Sequence, residues 1–366
     1  MTLRFRRFVL LAWATLLLCL CVGCAKDQGA KEAPKEETVN TYVDLHLHLD
    51  GAVTVEIAKD LAKLQGITLP SEDDAELLRL LSVPADCESL NDFLECFDLP
   101  LSLMQTKEGL SEAVRLVSEN IKSQGVVYAE IRYAPQLHQD KGMTQEDAVL
   151  AALDGLSKTD LHVNLILCCM RGEGNEAENE ETLRLAKKYL VEDGGVVAVD
   201  LAGAEALFPT ANYEGLFAKA KELGIPFTIH AGEADGPESV RLAISYGAKR
   251  IGHGVRIFED PKVLQMVKEQ GITLEMCPTS NRQTHAVEDM KSYPLVSYLT
   301  QGIKVTVNTD DMGIERTTLS GEFRYLEQEF GLTAAQEKEI LSNAVDAAFT
   351  TDAVKEELRK TLGLEK

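Results

Sequence analysis

The chain has few histidines, few aromatic residues and little positive charge. Seven histidines and one tryptophan occur in 366 residues, and 37 Lys and Arg stand against 59 Asp and Glu, for a net charge of −22 at pH 7. This excess of negative charge argues against binding of nucleic acid, or of an anionic membrane, by the folded part of the chain. It favours a small neutral or cationic ligand over a polyanion.

The apolar run near the N terminus, at residues 8–22, is shorter than the roughly 20 residues that span a membrane. Three arginines precede it, which is the layout of a secretory signal peptide. It ends in Cys-Val-Gly-Cys-Ala, which resembles a bacterial lipobox. That resemblance implies cleavage before Cys24, a diacylglycerol on its sulfur and an anchor at the outer face of the bacterial cell membrane. An ordinary secretory signal and an uncleaved anchor are the alternatives.

The segment after Cys24 contains almost no large apolar side chain and mixes Lys, Glu and Pro, so it cannot bury enough surface to fold. We therefore assign residues 1–23 to a signal peptide, 24–40 to a flexible tether and 41–366 to a single domain.

Cysteine spacing argues against a cysteine metal site in that domain. Its five cysteines are Cys87, Cys96, Cys168, Cys169 and Cys277, and no C-x-x-C spacing occurs among them. An odd number cannot pair completely within one chain. Cys168 and Cys169 lie in an apolar run and are predicted to be buried thiols, so we expect no disulfide.

Eight short apolar runs alternate with helical patterns. The predicted strands are residues 42–47, 126–133, 163–169, 196–201, 226–230, 250–252, 272–276 and 304–308. Strand–helix alternation repeated eight times predicts a parallel (β/α)8 barrel. A doubly wound sheet would need fewer strands and a glycine-rich first turn, which the sequence lacks.

The long connection between the first two predicted strands reads as helices at residues 54–64, 74–81, 90–97 and 107–124. An insertion after the first strand lies at the catalytic face of a barrel and could roof a pocket there. Phe93 and Phe97 in it either contact a ligand or form plain helix core at i, i+4 spacing. Residues 317–366 are also predicted helical, packing outside the barrel or over one end.

Four short clusters hold the polar residues that bear chemistry. They are His46-Leu-His48-Leu-Asp50, His230-Ala-Gly-Glu233, Gly-His253-Gly and Asn-Thr-Asp310-Asp311. Each lies at the carboxyl end of a predicted strand or just beyond, which in a barrel is the rim where active sites form. Imidazole nitrogens and carboxylate oxygens are ligands of divalent metals such as zinc. The sequence therefore predicts a metal site at one rim.

Spacing within these clusters suggests how the side chains are used. His46 and His48 are two apart on a strand and share a face; alone they could be packed histidines, but His230 and Asp310 at the same rim favour metal ligands. Asp50 has the same parity and lies near the mouth, or is a turn residue.

Glu233 follows His230 by three residues, and burial in a closed pocket would raise the pKa of its carboxyl and suit it to proton transfer. A helix N-terminal glutamate is the alternative. His253 could be a ligand or a base beside the metal. The side chains of Asp310 and Asp311 must diverge, so that one reaches the metal while the other faces substrate or solvent.

Six motifs, in this order, resemble the adenosine deaminase family of amidohydrolase barrels. They are His46-Leu-His-Leu-Asp50-Gly-Ala, Asp200-Leu-Ala-Gly203, His230-Ala-Gly-Glu233, Gly-His253-Gly, Cys277-Pro-Thr-Ser and Asn-Thr-Asp310-Asp311. Tyr128-Ala-Glu-Ile-Arg132-Tyr and Cys168-Cys-Met-Arg171 fit as well.

The resemblance implies zinc-dependent hydrolysis of adenosine or 2′-deoxyadenosine to inosine or 2′-deoxyinosine and ammonia. It implies one zinc ion, with a purine nucleoside and water as the small-molecule partners. His46, His48, His230 and Asp310 would hold the zinc. Glu233 would give a proton to purine N1, while His253 and Asp310 orient the attacking water. The implied substrate-binding residues are His48, Asp50 at the ribose, Gly203 at N3 and Asp311 at N7.

Other activities are open alternatives. A close variant would deaminate adenine or an N6-substituted adenine nucleotide, although no basic cluster for a phosphate is visible. A catalytically silent extracellular nucleoside-binding protein would be expected to have lost Glu233 or a ligand, and none is lost. A phosphoesterase barrel fits Gly203 and Glu233 poorly. The sequence does not indicate an oligomeric state.

Overall fold

In the residues that the structure describes, 40–84, 87 and 90–365 of a computed structural model, eight parallel strands alternate with helices. The strands are β1 (Tyr42–His48), β2 (Val126–Tyr133), β3 (His162–Met170), β4 (Val196–Ala202), β5 (His230–Ala231), β6 (Arg250–His253), β7 (Thr273–Met276) and β8 (Lys304–Val307). All eight predicted strands are present. The assigned signal peptide, Cys24 and the tether up to residue 39 lie outside the described residues.

The strands follow chain order around a barrel. They form two four-stranded parallel sheets, β1-β2-β3-β4 and β5-β6-β7-β8. Single parallel bridges join the two sheets, Val199 with Phe227 at one seam and Leu47 with Asp310 at the other. The predicted (β/α)8 fold is confirmed, with two seams made of bridges rather than continuous ladders.

β5 is shorter than predicted. The sequence indicated a strand at 226–230, but regular pairing begins at His230. Proline has no amide hydrogen, so Pro226 only accepts a bond, from Val199 N, and the Thr228 amide then donates to Val199 O. These two bonds hold the segment against β4 and deliver His230 to the carboxyl rim.

The connection between β1 and β2 is helical, as predicted. It contains α1 (Val55–Gln65), α2 (Asp74–Leu80), α3 (Leu90–Leu94), α4 (Asp98–Ser102) and α5 (Lys107–Ser123). The side chains of Thr54, Asp73 and Thr106 each accept a backbone amide bond at the start of α1, α2 and α5. A 3₁₀ turn, Glu95–Phe97, follows α3 within the single helix predicted at 90–97.

The later helices surround the strands and close one end. They are α6 (Gln145–Leu156), α7 (Glu176–Tyr189), α8 (Glu214–Leu223), α9 (Pro237–Tyr246), α10 (Pro261–Gln270), α11 (Pro278–Gln283), α12 (Leu295–Thr300), α13 (Met312–Glu315), α14 (Leu319–Phe330), α15 (Ala334–Ala347) and α16 (Asp352–Thr361). Among the described residues, none of these helices is long and apolar enough to span a membrane.

The C-terminal helices cover the amino end of the barrel. Val345 on α15 and Ala348 just after it pack with Val43 and Leu45 of β1. The Phe349 ring lies 4.2 Å from the guanidinium carbon of Arg250, which is on β6. This covering leaves the carboxyl rim as the end where a ligand can enter, and it matches the prediction that these helices pack over one end.

Candidate active site

Three imidazoles and a carboxylate converge at the carboxyl rim. His46 Nε2 lies 3.0 Å from His230 Nε2 and 3.1 Å from Asp310 Oδ1. His48 Nε2 lies 3.2 Å from His230 Nε2 and 3.4 Å from Asp310 Oδ1. The structure brings all four predicted ligands together.

The donor atoms of this cluster fit a small divalent cation. Ligand atoms about 2.1 Å from a tetrahedral centre stand about 3.4 Å apart, close to the observed spacings. Imidazole lone pairs crowded at this spacing repel one another unless a positive centre lies between them. His253 is a near neighbour, since His46, His230, His253 and Asp310 also place donor atoms within 4.8 Å of one another.

Two of the site residues, His253 and Asp310, have an unusual backbone conformation that orients their side chains. Asp310 and His253 adopt φ angles of 59° and 61°, in the left-handed region that residues other than glycine seldom occupy. Asp310 N donates to His46 O, and His48 N donates to Asp310 O, both at 2.8 Å. The seam between β1 and the end of β8 therefore holds Asp310 against the two histidines, and strain of this kind concentrates at functional sites.

Buried acids orient two of the histidines from behind. Glu275 Oε2 lies 2.8 Å from His46 Nδ1, and Asp200 Oδ2 lies 2.8 Å from His230 Nδ1. Arg132 donates to both acids, at 2.8 Å each. A carboxylate that accepts from the outer nitrogen of an imidazole, as Glu275 does from His46, leaves the inner nitrogen free to bind metal, and Asp200 lies at ion-pair distance from the outer nitrogen of His230. Sequence reasoning missed these roles; a charged residue such as Glu275 inside an apolar strand was the available signal.

A cavity of about 280 Å³ opens beside the cluster. Its polar wall includes the sequence-predicted residues His48, Asp50, Gly203, His230, Glu233, His253, Asp310 and Asp311. Apolar side chains complete the wall, among them Phe93 and Phe97, whose ring centroids lie 6.0 Å apart. Phe93 also packs with Cys87 and Ile314, so it belongs both to the cavity wall and to a small apolar cluster.

The Glu233 carboxyl lies beside the histidine and aspartate cluster. Burial raises the pKa of Glu233 to about 8, and the nearby carboxylates of Asp310 and Glu205 add to the shift. Thr284 Oγ1 donates to Glu233 Oε1 at 3.1 Å, while Oε2 lies 3.5 Å from His253 Nε2. A carboxyl that keeps its proton near neutral pH can donate it.

His253 is held as a neutral imidazole. Burial lowers the pKa of His253 well below its usual value. Asn281 Nδ2 donates to His253 Nδ1 at 3.1 Å, which leaves the ring proton on Nε2. That nitrogen lies 3.7 Å from Asp310 Oδ2, on the side of the metal cluster.

The remaining predicted polar residues also face the cavity. Burial, and then the neighbouring carboxylate of Asp310, raises the pKa of Asp311 well above its usual range. Within the described part of the chain, Asp311 Oδ1 has no hydrogen-bond partner. Burial raises the pKa of Asp50 to about 6. A buried polar atom without a partner, at a cavity wall, suits a ligand atom.

The five cysteines of the described domain lie outside the cluster of possible metal ligands. All five in the described domain are free thiols, and Cys168 and Cys169 are buried, as predicted. Cys168 borders the cavity, and burial raises the pKa of its thiol well above the usual value. A thiol with so high a pKa is a poor nucleophile.

A parallel barrel with a histidine and aspartate cluster at its carboxyl rim defines the class of metal-dependent barrel hydrolases. A family model for adenosine deaminase matches residues 42–363. An adenosine deaminase from Haemophilus ducreyi is 47% identical over 322 residues, which cover 86% of this chain and 94% of the relative. The chain belongs to the adenosine deaminase family, whose members are metal-dependent hydrolases of C–N bonds in cyclic amidines.

Solved structures show the same fold. An adenine deaminase from Arthrobacter aurescens matches with a TM-score of 0.80 and 27% identity, over 89% of this chain and 99% of that one. The N6-mAMP deaminase of arabidopsis matches with a TM-score of 0.77 and 25% identity, over 89% and 98%.

Proposed function

We propose that this protein hydrolyses adenosine and 2′-deoxyadenosine to inosine and 2′-deoxyinosine, with release of ammonia, using one zinc ion. The observation that carries the proposal is the position of Glu233. Its buried carboxyl, with a pKa of about 8, borders the same cavity as the histidine and aspartate cluster. The 47% identity to an adenosine deaminase supports the choice of substrate.

His46, His48, His230 and Asp310 would hold the zinc, because nitrogen and carboxylate oxygen ligands at these spacings suit that ion. When bound, zinc lowers the pKa of water and so supplies a nucleophile at neutral pH. The protein's own part is to hold the four donors in place, which the acids behind His46 and His230 achieve.

Glu233 donates a proton to the purine ring. Addition of water at C6 moves electrons onto N1, and the protonated Glu233 carboxyl donates to that nitrogen, so the ring gains no unbalanced charge. The Nε2–H of His253 points toward the cluster and orients the oxygen that attacks C6. One proton of the attacking water would restore the Glu233 carboxyl, and the other would pass from the new C6 hydroxyl to the exocyclic nitrogen. The C6–N bond then breaks, ammonia leaves and C6 becomes a carbonyl, while N1 keeps the proton from Glu233.

The cavity wall supplies the contacts to the nucleoside. The raised pKa keeps Asp311 protonated, so it can donate to N7 through the carboxyl that has no other partner at Oδ1. Gly203 has a φ of 102°, a conformation that residues with a side chain rarely adopt. Because it has no side chain, its backbone can approach N3 of the purine. Asp50 would bind the ribose, and His48 also borders the substrate.

A phosphate-bearing substrate is less well supported. Arg171 is the basic side chain that borders the described cavity, and its guanidinium donates to Phe208 O, Thr210 Oγ1 and His230 O. It is thus engaged by the protein rather than presented to a phosphate. A silent binding protein is also disfavoured, since Glu233 and all four proposed ligands are in place.

Incubation of the zinc-loaded protein with adenosine, adenine and an N6-methylated adenine nucleotide tests the proposal. The change in ultraviolet absorbance should show rapid turnover of adenosine and slow turnover of the other two. No turnover of adenosine, with bound zinc confirmed by metal analysis, would overturn the assignment. Faster turnover of adenine or of the nucleotide would select one of the alternatives.

We also infer that the mature protein is exported and anchored by a lipid on Cys24, with secretion as the alternative. The charged start, the apolar run at residues 8–22 and the small Gly23 before Cys24 support this inference. The acidic domain gives no second reason to bind an anionic membrane, so the anchor would act alone.

A further inference from the structure

A buried carboxylate outside the cavity holds the loop that carries Glu233. Glu205 is 1% exposed. Its two oxygens accept four consecutive backbone amides, at 2.8 Å from Gly232, 3.0 Å from Glu233, 2.8 Å from Ala234 and 3.0 Å from Asp235. Successive amides that point at one spot form an anion-binding nest, and here the anion is a side chain of the protein itself.

The donors around Glu205 require an acceptor at both of its side-chain oxygens. Within the described residues Glu205 has no salt bridge; its hydrogen-bond donors are backbone amides and one hydroxyl, and the charges of Arg171 and Arg256 act on it from longer range. The Ser239 hydroxyl at the start of α9 donates to Glu205 Oε1 as well. An ionised carboxylate can accept at both oxygens and so serves all these donors together.

The contacts of Ser239 extend to the metal cluster. Ser239 Oγ lies 2.6 Å from Thr210 Oγ1, which accepts from Arg171 at 2.9 Å. Arg171 also donates to His230 O at 2.7 Å. The strand end at His230 and the loop up to Asp235 are therefore fixed by one buried network.

We propose that Glu205 is a positioning residue for the deamination: by binding the amides of residues 232–235 it aims the Glu233 carboxyl at purine N1. It contacts neither the substrate nor the proposed metal ligands and acts through Glu233. This inference rests on the proton-donor role proposed for Glu233. Proton transfer needs the donor within hydrogen-bond reach, and a misplacement of about 1 Å can cost about 100-fold in rate.

Replacement by glutamine tests the inference. In Glu205→Gln one oxygen can still accept, but the amide nitrogen would face backbone N–H groups, so the loop must shift. We expect kcat for adenosine to fall about 10- to 100-fold, with KM and bound zinc nearly unchanged. The same substitution at Glu238, an exposed residue on α9 paired with Arg241, is the matched control and should leave kcat unchanged.

A double-mutant comparison separates positioning from general support of the fold. If Glu205 acts through Glu233, adding Glu205→Gln to Glu233→Gln should lower the residual rate no further. An equal loss in both backgrounds would overturn the inference, as would a wild-type kcat in Glu205→Gln. Should the glutamine variant fail to fold, Glu205→Asp keeps the charge with a shorter reach and should show the same loss of kcat without a rise in KM.

The two proposals can fail separately. If Glu233→Gln stays fully active, the proton-donor role itself is wrong. If Glu233→Gln loses activity while Glu205→Gln keeps it, only the role of Glu205 is wrong.

Discussion

Glu275 on β7 and His46 on β1 form a hydrogen bond of 2.8 Å across the interior of the barrel, from His46 Nδ1 to Glu275 Oε2. Arg132 and Arg250 also donate to Glu275, at 2.8 Å and 2.6 Å. As the neutral tautomer with its proton on Nδ1, His46 would offer an unprotonated Nε2 on the side of Asp310 and His230. That form of imidazole is the one that binds a metal.

Removing the charge of Glu275 should therefore weaken metal binding. In Glu275→Gln the acceptor for His46 Nδ1 is weaker and the two arginines lose their counter-charge. We expect zinc affinity to fall about 10- to 100-fold, measured by competition with a chelator. Glu322→Gln is a matched control, because Glu322 is equally buried but has Thr279 and Thr317 as its hydrogen-bond partners. Equal zinc affinity in the two variants would contradict this role of Glu275.

Activity should depend on the protonated form of Glu233. Burial and the charge of Asp310 raise its pKa to about 8, so the carboxyl keeps its proton at neutral pH and loses it as the pH rises. We expect kcat/KM for adenosine to decline above about pH 8, from initial rates across a pH series. A kcat/KM that stays constant between about pH 7 and pH 9.5 would be inconsistent with a proton donated by Glu233.

Glu233→Gln should separate chemistry from metal binding. Glutamine is similar in size but has no acidic proton to give to purine N1. We expect kcat to fall about 100- to 10,000-fold, the usual contribution of a general acid. Bound zinc should stay at one per chain by metal analysis, because Glu233 is not among the four proposed ligands. Loss of zinc along with activity would place Glu233 among the groups that hold the metal.

The predicted site residues could be placed together because the carboxyl ends of parallel strands share one rim. His46 and His230 lie on β1 and β5 and Asp310 follows β8, far apart in sequence, and the strand pattern was enough to bring them to one edge. Their roles in the reaction stay predictions. The metal and proton assignments came from the spacing of polar residues and from resemblance to a family.

The supporting residues could not be predicted in the same way. Arg132 and Asp200 lie on β2 and β4, which are not neighbours, and they meet only across the barrel interior. Glu205 lies in a loop, and its four bonds depend on how a distant loop turns. Local periodicity gives the face of a strand on which a side chain lies, but not its partner across the core. The short length of β5 could not be predicted for the same reason, since its pairing depends on how the two sheets meet.

The Cys24 anchor predicts where the protein is found. Cys24→Ala removes the sulfur that would carry the lipid, so the protein should pass from the membrane fraction into the medium. Cys96→Ala, at a half-buried thiol of the folded domain, is the matched control and should stay with the membrane. Fractionation and immunoblotting give the distribution. Membrane retention of both variants would contradict the lipid anchor and favour an uncleaved apolar segment.

Gly51 should contribute to substrate binding, although it carries no functional group. A Cβ at this position would lie 1.7 Å from Asp311 Oδ1, one oxygen of the carboxyl proposed to bind purine N7. In Gly51→Ala the Asp311 carboxyl must move, and we expect KM for adenosine to rise about tenfold, the effect of losing one good hydrogen bond to substrate. Bound zinc should be unchanged, because Asp311 is not a proposed ligand. Gly215→Ala on α8 is the control, since a Cβ there meets no atom within 4 Å, and its KM should equal that of the parent protein. A parental KM in folded Gly51→Ala would show that Asp311 does not bind the purine.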